Sequence, residues 1–146
     1  MSIVANAVVT TAVVATLEAA AEAGAWLVGD GQKPQGAGWQ GERGASVFRP
    51  YAIVWPIPGG TLDGSLGAPD TDAETLYQVT SVGATRQQAE VVGDRVREAL
   101  VAAELDIDGR GLIRVRCEEL GGATVDRSVE PPVFMVPDRF AVVTDS

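Results

Sequence analysis

The stretch LYQVTSVGATRQQAEVVGDRVREAL, residues 76–100, decides the fold. Its first residues alternate, so Tyr77 and Val79 are predicted to share one face of a β-strand while polar side chains occupy the other. Gly83 then interrupts the alternation and supplies the backbone freedom that a sharp turn needs. The pattern therefore predicts one strand that ends in a tight turn.

A helix is predicted directly after this turn. Thr85 stands in the N-cap position, and Gln88 three residues later completes a capping box. Apolar side chains then recur at helical spacing: Ala89, Val92, Val96 and Leu100. Burying the three larger ones contributes about 1.5–3 kcal/mol each, whereas helix propensities differ by tenths of a kcal/mol. Tertiary burial therefore decides this helix, which we expect to pack on the sheet that contains its own strand.

A second, longer helix is predicted from Ile3 to Ala23, with Gly24 as its C-terminal cap. Its apolar residues form two stripes, namely Val4, Val8, Ala12, Ala15, Ala19 and Ile3, Ala7, Val14, Leu17, Ala21. A helix that is apolar on most sides should be covered on more than one side. Packing on its own sheet, with small residues to spare, is the favoured interpretation; a neighbouring subunit over the second stripe is the alternative.

Two long loops are predicted, residues 24–49 and 56–75. The first is rich in glycine and contains Trp39 within GAGWQG, residues 36–41, which matches the dinucleotide-binding pattern G-x-G-x-x-G. No hydrophobic strand leads into this match and no helix follows it, so the sequence does not support a nucleotide site. Loops of this length in a compact domain are usually functional or disordered.

A strand is predicted over residues 50–55, with its larger side chains on one face: Tyr51, Ile53 and Trp55. Pro56 and Pro58 are expected to end this strand, because proline cannot donate a hydrogen bond to a ladder. The segment that follows, residues 59–74, is interpreted as an acidic, glycine-rich loop that returns to the strand beginning at Leu76.

This acidic loop carries most of the candidate interface residues. Its carboxylates do not complete an EF-hand, which also needs a glycine at position 6 and a distal glutamate, and they are interpreted as a solvated surface: Asp63, Asp70, Asp72 and Glu74. Leu62 and Leu66 are unusual in such a loop. They predict a contact with another chain, although packing within the chain is equally allowed.

The sequence after the central helix predicts further strands. Residues 112–119 alternate, with Ile113, Val115 and Cys117 facing inward, so Cys117 is a small core residue. The segment VEPPVFMVP, residues 129–137, is pinned by prolines and is interpreted as an edge segment or a docking surface that presents Phe134. The run FAVVT, residues 140–144, predicts a final strand.

The order of these elements predicts an α+β fold in one domain, residues 1–146. Consecutive strands joined without helices indicate an antiparallel or mixed β-sheet of about four to five strands, with two helices packed on one face. A chain of 146 residues can bury about 68–70% of its unfolded surface, so such a core needs no disulfide or metal.

The composition excludes several classes of function. With 11 basic and 20 acidic residues the net charge is −9, which disfavours non-specific binding of nucleic acid. The chain has no histidine and one cysteine, which removes Ser-His-Asp and Cys-His catalysis, histidine metal sites and an internal disulfide. The apolar run near the start lacks a basic flank and is too short for a membrane span. No catalytic, cofactor or metal site and no membrane contact is predicted.

The motifs PYAIVWPIPGG, the acidic loop and LYQVTSVGATRQQAEVVGDRVREAL, in that order, resemble the tail terminator proteins of long-tailed bacteriophages, also called tail completion proteins. The similarity is strongest over residues 50–102. It implies an α+β sandwich that assembles as a hexameric ring in the virion, at the head–tail junction, after synthesis in the host cytoplasm. The resemblance implies a siphophage, and the composition suggests an actinobacterial host. Residues 24–49 are longer than the family leads us to expect.

The resemblance also implies the partners. Such a ring caps the head-proximal end of the tail tube, stops its polymerisation and presents a surface to the head-side connector or stopper. DNA passes through the lumen without specific binding; six copies at −9 each would carry −54, which disfavours adhesion of DNA. Under this interpretation the acidic loop faces the lumen or the tube, and Leu62 and Leu66 contact a neighbouring subunit or the last tube ring.

Two alternatives are kept. The first is another ring protein of the junction, a stopper or adaptor, although stoppers tend toward small β-barrels and two long helices are predicted here. The second is a small α+β enzyme that works through carboxylates, for which candidate pairs are Asp106 with Asp108 and Glu118 with Glu119. The first pair is better explained as turn chemistry and the second as a solvated strand end. A deep pocket with a raised carboxyl pKa would favour the enzyme.

Overall fold

The computed structural model describes residues 6–41, 47–65, 68–102, 105–107, 111–129 and 131–145. Its elements, in chain order, are α1 (Asn6–Gly24), β1 (Leu27–Asp30), β2 (Gly38–Trp39), β3 (Phe48–Arg49), β4 (Tyr51–Ser65), β5 (Ala68–Gly83), α2 (Arg86–Ala102), β6 (Gly111–Glu119), β7 (Thr124–Asp126) and β8 (Val133–Asp145). The α+β class is confirmed, and the described residues form more strands than the four to five predicted.

Six strands form one mixed sheet in the order β1-β4-β5-β8-β6, with β7 also paired to β8. The pair β1–β4 is parallel and the other pairs are antiparallel. β8 is an interior strand of the sheet, between β5 and β6. The interpretation of residues 129–137 as an edge segment is wrong for the start of β8, because residues 134–137 pair with β5 on one side and residues 133–135 pair with β7 on the other.

Both helices cover the same face of this sheet. The predicted faces of the two central strands are confirmed: the inward side chains are buried, namely Ala52, Val54, Tyr77 and Val79. Val92, Val96 and Leu100 of α2 pack against them, as their spacing predicts. Phe140 and Val142 of β8 complete the core.

The buried side of the first helix matches neither predicted stripe as a whole, although Ala12 of the first stripe and Leu17 and Ala21 of the second are buried. Its fully buried residues are Val9, Val13 and Leu17, while Ala15 and Ala19 are exposed. Thr10, on the flank of this side, shares a hydrogen bond of 2.9 Å with the hydroxyl group of Tyr77. The helix thus packs on its own sheet, and its outer side consists of small and polar residues such as Thr11 and Glu18.

The end of α1 lies one residue later than predicted. Gly24 is the last helical residue, and Ala25 takes the left-handed conformation with φ 59°. The N–H of Trp26 donates to the carbonyl oxygen of Ala21 over 3.4 Å, which is the six-to-one bond of a Schellman motif. Because the side chain of Trp26 is buried against the core, the chain tolerates a non-glycine residue at the left-handed position.

The predicted capping box at the start of α2 forms with one difference. The Thr85 hydroxyl oxygen accepts from the N–H of Gln88 over 3.1 Å. The Gln88 side-chain oxygen reaches back to the N–H of Ala84 over 2.8 Å, one residue before the cap itself. Two backbone donors at this helix end are thereby satisfied.

Replacing Thr85 by alanine is expected to lower the free energy of unfolding by about 1 kcal/mol, because the N–H of Gln88 loses its acceptor. For a chain of this size the midpoint of thermal unfolding should fall by about 2–4 °C, as followed by circular dichroism. The matched control is Thr11→Ala on the exposed side of α1, which should not lower the midpoint since alanine favours helix. Equal midpoints for Thr85→Ala and the parent chain would contradict the capping role.

The prediction of a second long loop over residues 56–75 is wrong. β4 continues through Pro56 and Pro58 and pairs with β5 from Tyr51↔Val82 to Ser65↔Ala68. β1 pairs with β4 only as far as Val54, so within the described part of the chain the outer edge of β4 beyond that residue has no neighbouring strand. Proline is tolerated at such an edge because no ladder bond is lost there.

The far end of this hairpin extends beyond the rest of the sheet. β8 accompanies β5 only as far as the pair Asp72↔Asp145. The end of the hairpin, called the hairpin tip below and described at residues 64–65 and 68–71, therefore projects as a two-stranded arm of roughly 13 Å, at about 3.3 Å per residue. Residues 66 and 67 of the tip lie outside the described residues.

Candidate functional site

The sheet face that the helices leave uncovered carries a groove of about 670 Å³. Its floor consists of outward side chains of three neighbouring strands: Ile53 and Trp55 of β4, Gln78 and Thr80 of β5, and Met135 and Pro137 of β8. Trp55 is 41% exposed, although tryptophan is among the most apolar side chains. An apolar groove with an exposed tryptophan is typical of a surface that binds another molecule.

An aromatic cluster closes one end of the groove. The Trp39 ring meets the Phe48 ring edge to face at 5.2 Å between centroids and 78°, and Phe48 stacks on Tyr51 at 6.3 Å. Trp39 and Phe48 belong to β2 and β3, which pair with each other and come from the predicted loop 24–49. This segment therefore contains short strands, and its described part builds a wall of the groove. The nucleotide pattern at residues 36–41 lies in this wall.

The structure explains why residue 38 of that pattern is a glycine. Gly38 has φ 81°, and an added Cβ would lie 2.9 Å from the Lys33 Nζ atom. The left-handed conformation and the close lysine both favour glycine. The Gln40 side chain then donates to the carbonyl oxygens of Gly36 and Gly38, each over 2.8 Å. These contacts hold β2, and with it Trp39, against the groove.

The electrostatics of the groove are simple. Lys33 Nζ lies 5.9 Å from the centroid of the Tyr51 ring, within range of a cation–π interaction. Burial chiefly, and the charge of Asp126 in addition, raise the pKa of Tyr51, so its phenol is neutral at physiological pH. Hydrogen bonds from the hydroxyl and N–H groups of Ser128, over 2.6 and 2.9 Å, lower the pKa of Asp126. Among the described residues, the groove thus presents one cation, one carboxylate and a floor that is apolar apart from Gln78 and Thr80.

The other end of the open face is charged. Arg116 of β6 donates to Glu74 of β5 over 3.0 Å and also pairs with Glu118, and Arg139 lies 4.0 Å from Glu119. Glu74 was predicted in a solvated loop. It instead lies within the sheet, between Thr61 on β4 and Val143 on β8, and is held by Arg116.

The remaining predicted interface residues fall in three places. Leu62, Asp63, Asp70 and Asp72 lie in the backbone of the hairpin, with side chains outside the described structure, and Leu66 is wholly outside it. Trp39 lines the groove. Alternation places Phe134 on the helix side of β8 with Val136, so it is not on the open face.

Sequence reasoning missed the groove, although it grouped part of its floor. Periodicity put Tyr51, Ile53 and Trp55 on one face, but the side chains of either face could have formed the core. No pattern in the sequence indicates that Lys33, the only lysine, lines the groove. Its position depends on how the described part of residues 24–49 lies over the sheet.

A buried charge lies on the opposite face. The Asp138 side chain is 1% exposed; its Oδ1 atom accepts from the N–H of Gly121 over 2.9 Å and its Oδ2 atom accepts from Arg97 of α2 over 2.8 Å. Burial raises the pKa of the Asp138 carboxyl, and the hydrogen bonds from Gly121 and Arg97 oppose this rise. A raised carboxyl pKa can indicate an active site. The Asp138 side chain, however, lies under α2 and away from the groove.

Of the two carboxylate pairs considered for an enzyme, the structure describes Asp106 and the pair of Glu118 with Glu119. Asp106 is exposed, and Asp108 lies outside the described residues. Glu118 and Glu119 are exposed and pair with arginines. In the described ranges no three histidine, cysteine or carboxylate side chains cluster as metal ligands would. Neither α1 nor α2, as far as they are described, is both long and apolar enough to span a bilayer.

Comparison with known proteins establishes the fold. No protein-family profile and no curated protein sequence matches the chain. Among solved structures, it is similar to a chain of the structure described as "Virion of native gene transfer agent (GTA) particle", with a TM-score of 0.65 and 16% sequence identity. The superposition covers 94% of this chain and 94% of that chain, so the likeness extends over the whole domain.

Proposed function

We propose that this protein is a structural component of a phage-like virion, and specifically a tail terminator. In this role, copies form a ring that caps the head-proximal end of the tail tube, stops its polymerisation and joins it to the head-side connector. The observation that carries the proposal is the fold match over 94% of both chains to a chain from a gene transfer agent virion. The sequence resemblance over residues 50–102 supplies the finer assignment.

The surfaces of the molecule are consistent with a protein that acts through contacts with other proteins. In the part of the chain that the structure describes, the groove combines a largely apolar floor with one lysine and one aspartate, a composition suited to contact rather than to catalysis. The buried acid Asp138 is engaged by Gly121 and Arg97 on the other face of the sheet. We therefore infer that the protein is not an enzyme.

The hairpin tip is the part we assign to the tail tube. It projects beyond the sheet, and the sequence around its turn contains Leu62, Leu66 and the acidic residues Asp63, Asp70 and Asp72. An arm of this kind can reach a ring stacked below while the sheet stays in its own ring. We further propose that the acidic residues keep DNA from adhering as it passes.

The test measures the length of tubes assembled with and without this protein. The tail-tube protein encoded with it is polymerised, the purified chain is added, and tubes are measured by electron microscopy. We expect growth to stop and rings to appear at one tube end. A variant in which Asn-Gly replaces residues 64–71 should keep the parent's melting temperature, because the removed residues pair only with each other, and should fail to stop growth.

The outcomes separate the candidates. Unchanged tube lengths with the parent chain at saturating concentration would overturn the terminator proposal. Normal tube lengths in a phage that lacks the gene, with tails that do not join heads, would instead indicate a stopper or adaptor. Full activity of the hairpin variant would remove the tube contact from the tip but leave the terminator role standing.

A further inference from the structure

We propose that neighbouring copies in the ring associate head to tail, with the open groove of one copy receiving an apolar patch of the next. The patch consists of Val91 on α2 and Leu120 directly after β6. This inference rests on the proposed ring and names the contact that would build it.

Each of the two surfaces carries exposed large apolar side chains, one surface on either side of the sheet. Trp55 projects into the groove on the open sheet face. Val91 is 48% and Leu120 65% exposed, and both line a shallow depression of about 460 Å³ beside α2, on the helix side. Large exposed apolar side chains that are grouped rather than scattered indicate contact sites. Within the described residues, no other part of the chain covers either surface.

Lys33 of the groove can complement carboxylates beside the patch, while Asp126, the groove's carboxylate, accepts from Ser128. No carboxylate of the described residues lies within ion-pair distance of Lys33, whose ammonium group stands at the rim of the groove. Glu90 and Asp94 flank Val91 on α2, and Glu90 pairs with Arg86. Arg97, the basic residue of this depression, is shared between Asp94 and the buried Asp138, so acidic charge is in excess there. Docking would place Lys33 near Glu90 or Asp94.

The positions of the groove and the patch determine which symmetry the assembly can have. A two-fold dimer buries the same patch on both subunits, whereas a contact between two different patches is heterologous and closes into a ring when the rotation allows. The groove and the Val91–Leu120 patch face opposite sides of the sheet, so one copy can contact two neighbours at the same time. A second copy of this chain is therefore the occupant that accounts for both surfaces together.

The first test uses mixed variants. Trp55→Ser damages only the groove, and the double change Val91→Ser with Leu120→Ser damages only the patch. Each variant alone should lose ring formation on tube ends, with at least tenfold weaker self-association by sedimentation. A mixture of the two should restore a single contact and yield a species of twice the chain's mass that cannot close. The control is Val101→Ser, which removes an exposed apolar side chain of α2 outside the depression and should form normal rings.

The second test traps the contact. In a Cys117→Ser background, copies with Trp55→Cys are mixed with copies with Val91→Cys on capped tubes and oxidised. We expect a covalent dimer that joins positions 55 and 91, at least tenfold more abundant than with Val101→Cys as the second partner. Dimers joining two copies of position 55, or normal rings from both serine variants, would overturn the head-to-tail contact. If the parent chain forms no ring and stops no tube, the proposed function fails as well; a capping ring without this cross-link refutes this inference alone.

Discussion

Replacing Asp138 by alanine is expected to lower the free energy of unfolding by about 3 kcal/mol. The reason is the two donors that would lose their acceptor, the N–H of Gly121 and the guanidinium group of Arg97. Arg97 keeps Asp94 and some contact with solvent, which holds the loss near the lower end of the range for a broken buried pair. Urea unfolding followed by tryptophan fluorescence measures the change.

Replacing Asp138 by asparagine separates the effect of the side chain's shape on stability from the effect of its charge. Asp138→Asn keeps an oxygen that can accept from Gly121 and no longer titrates, so it should cost less than the alanine change. Because burial raises the pKa of Asp138 in the folded state, the folded protein binds this proton more tightly than the unfolded chain. The stabilising contribution is therefore fully present below the unfolded pKa of about 3.8 and is lost as pH rises through the folded value.

The predicted consequence is a pH-dependent difference between the two proteins. The stability of the parent relative to Asp138→Asn should fall as pH is raised from below 4 toward neutrality. A constant difference over that range would show that the carboxyl titrates alike in the folded and unfolded chain. A rising difference would show that Arg97 and Gly121 lower its pKa more than burial raises it.

Changing Gly121 to alanine should be about as costly as removing the carboxyl group. A Cβ atom at residue 121 would lie 1.8 Å from the carbonyl oxygen of Pro137 and 2.8 Å from its ring, so the backbone after β6 must move away from β8. That movement strains the packing and pulls the Gly121 N–H away from Asp138. Overpacking and a lost hydrogen bond to a charged group together predict about 3 kcal/mol, measured by chemical unfolding.

Gly122→Ala is the matched control, because nothing lies within 4 Å of an added Cβ atom there. We expect a change within about 0.5 kcal/mol. The double variant with Gly121→Ala and Asp138→Ala should lose clearly less than the sum of the single changes, since both break the same hydrogen bond. Strict additivity, or equal effects at Gly121 and Gly122, would contradict the coupling.

The sequence predicted the parts of the fold that depend on neighbours along the chain. Tyr77, Val79 and the spacing of α2 were interpreted correctly, because alternation and helical periodicity follow from local geometry. The capping box was found for the same reason, although the return bond of Gln88 reaches Ala84. The α+β class followed from the order of these elements.

Features that depend on distant pairing were missed. Pro56 and Pro58 end a strand only where both edges are paired, and the sequence does not reveal that β1 pairs with β4 only as far as Val54. The interior position of β8 was not predicted, because Pro137 near its start is typical of an edge strand. The buried Asp138 gave no local signal either, since its partners Arg97 and Gly121 come from separate elements.

The order of the strands also bears on how the chain acquires its structure. β8 is the last strand in sequence, yet both of its principal neighbours, β5 and β6, precede it. On a growing polypeptide those neighbours expose bare hydrogen-bonding edges until β8 has been made, so the central sheet can be completed only late. Such a chain should be most vulnerable to aggregation while it is being synthesised, and slower translation before residue 133 would prolong that exposure.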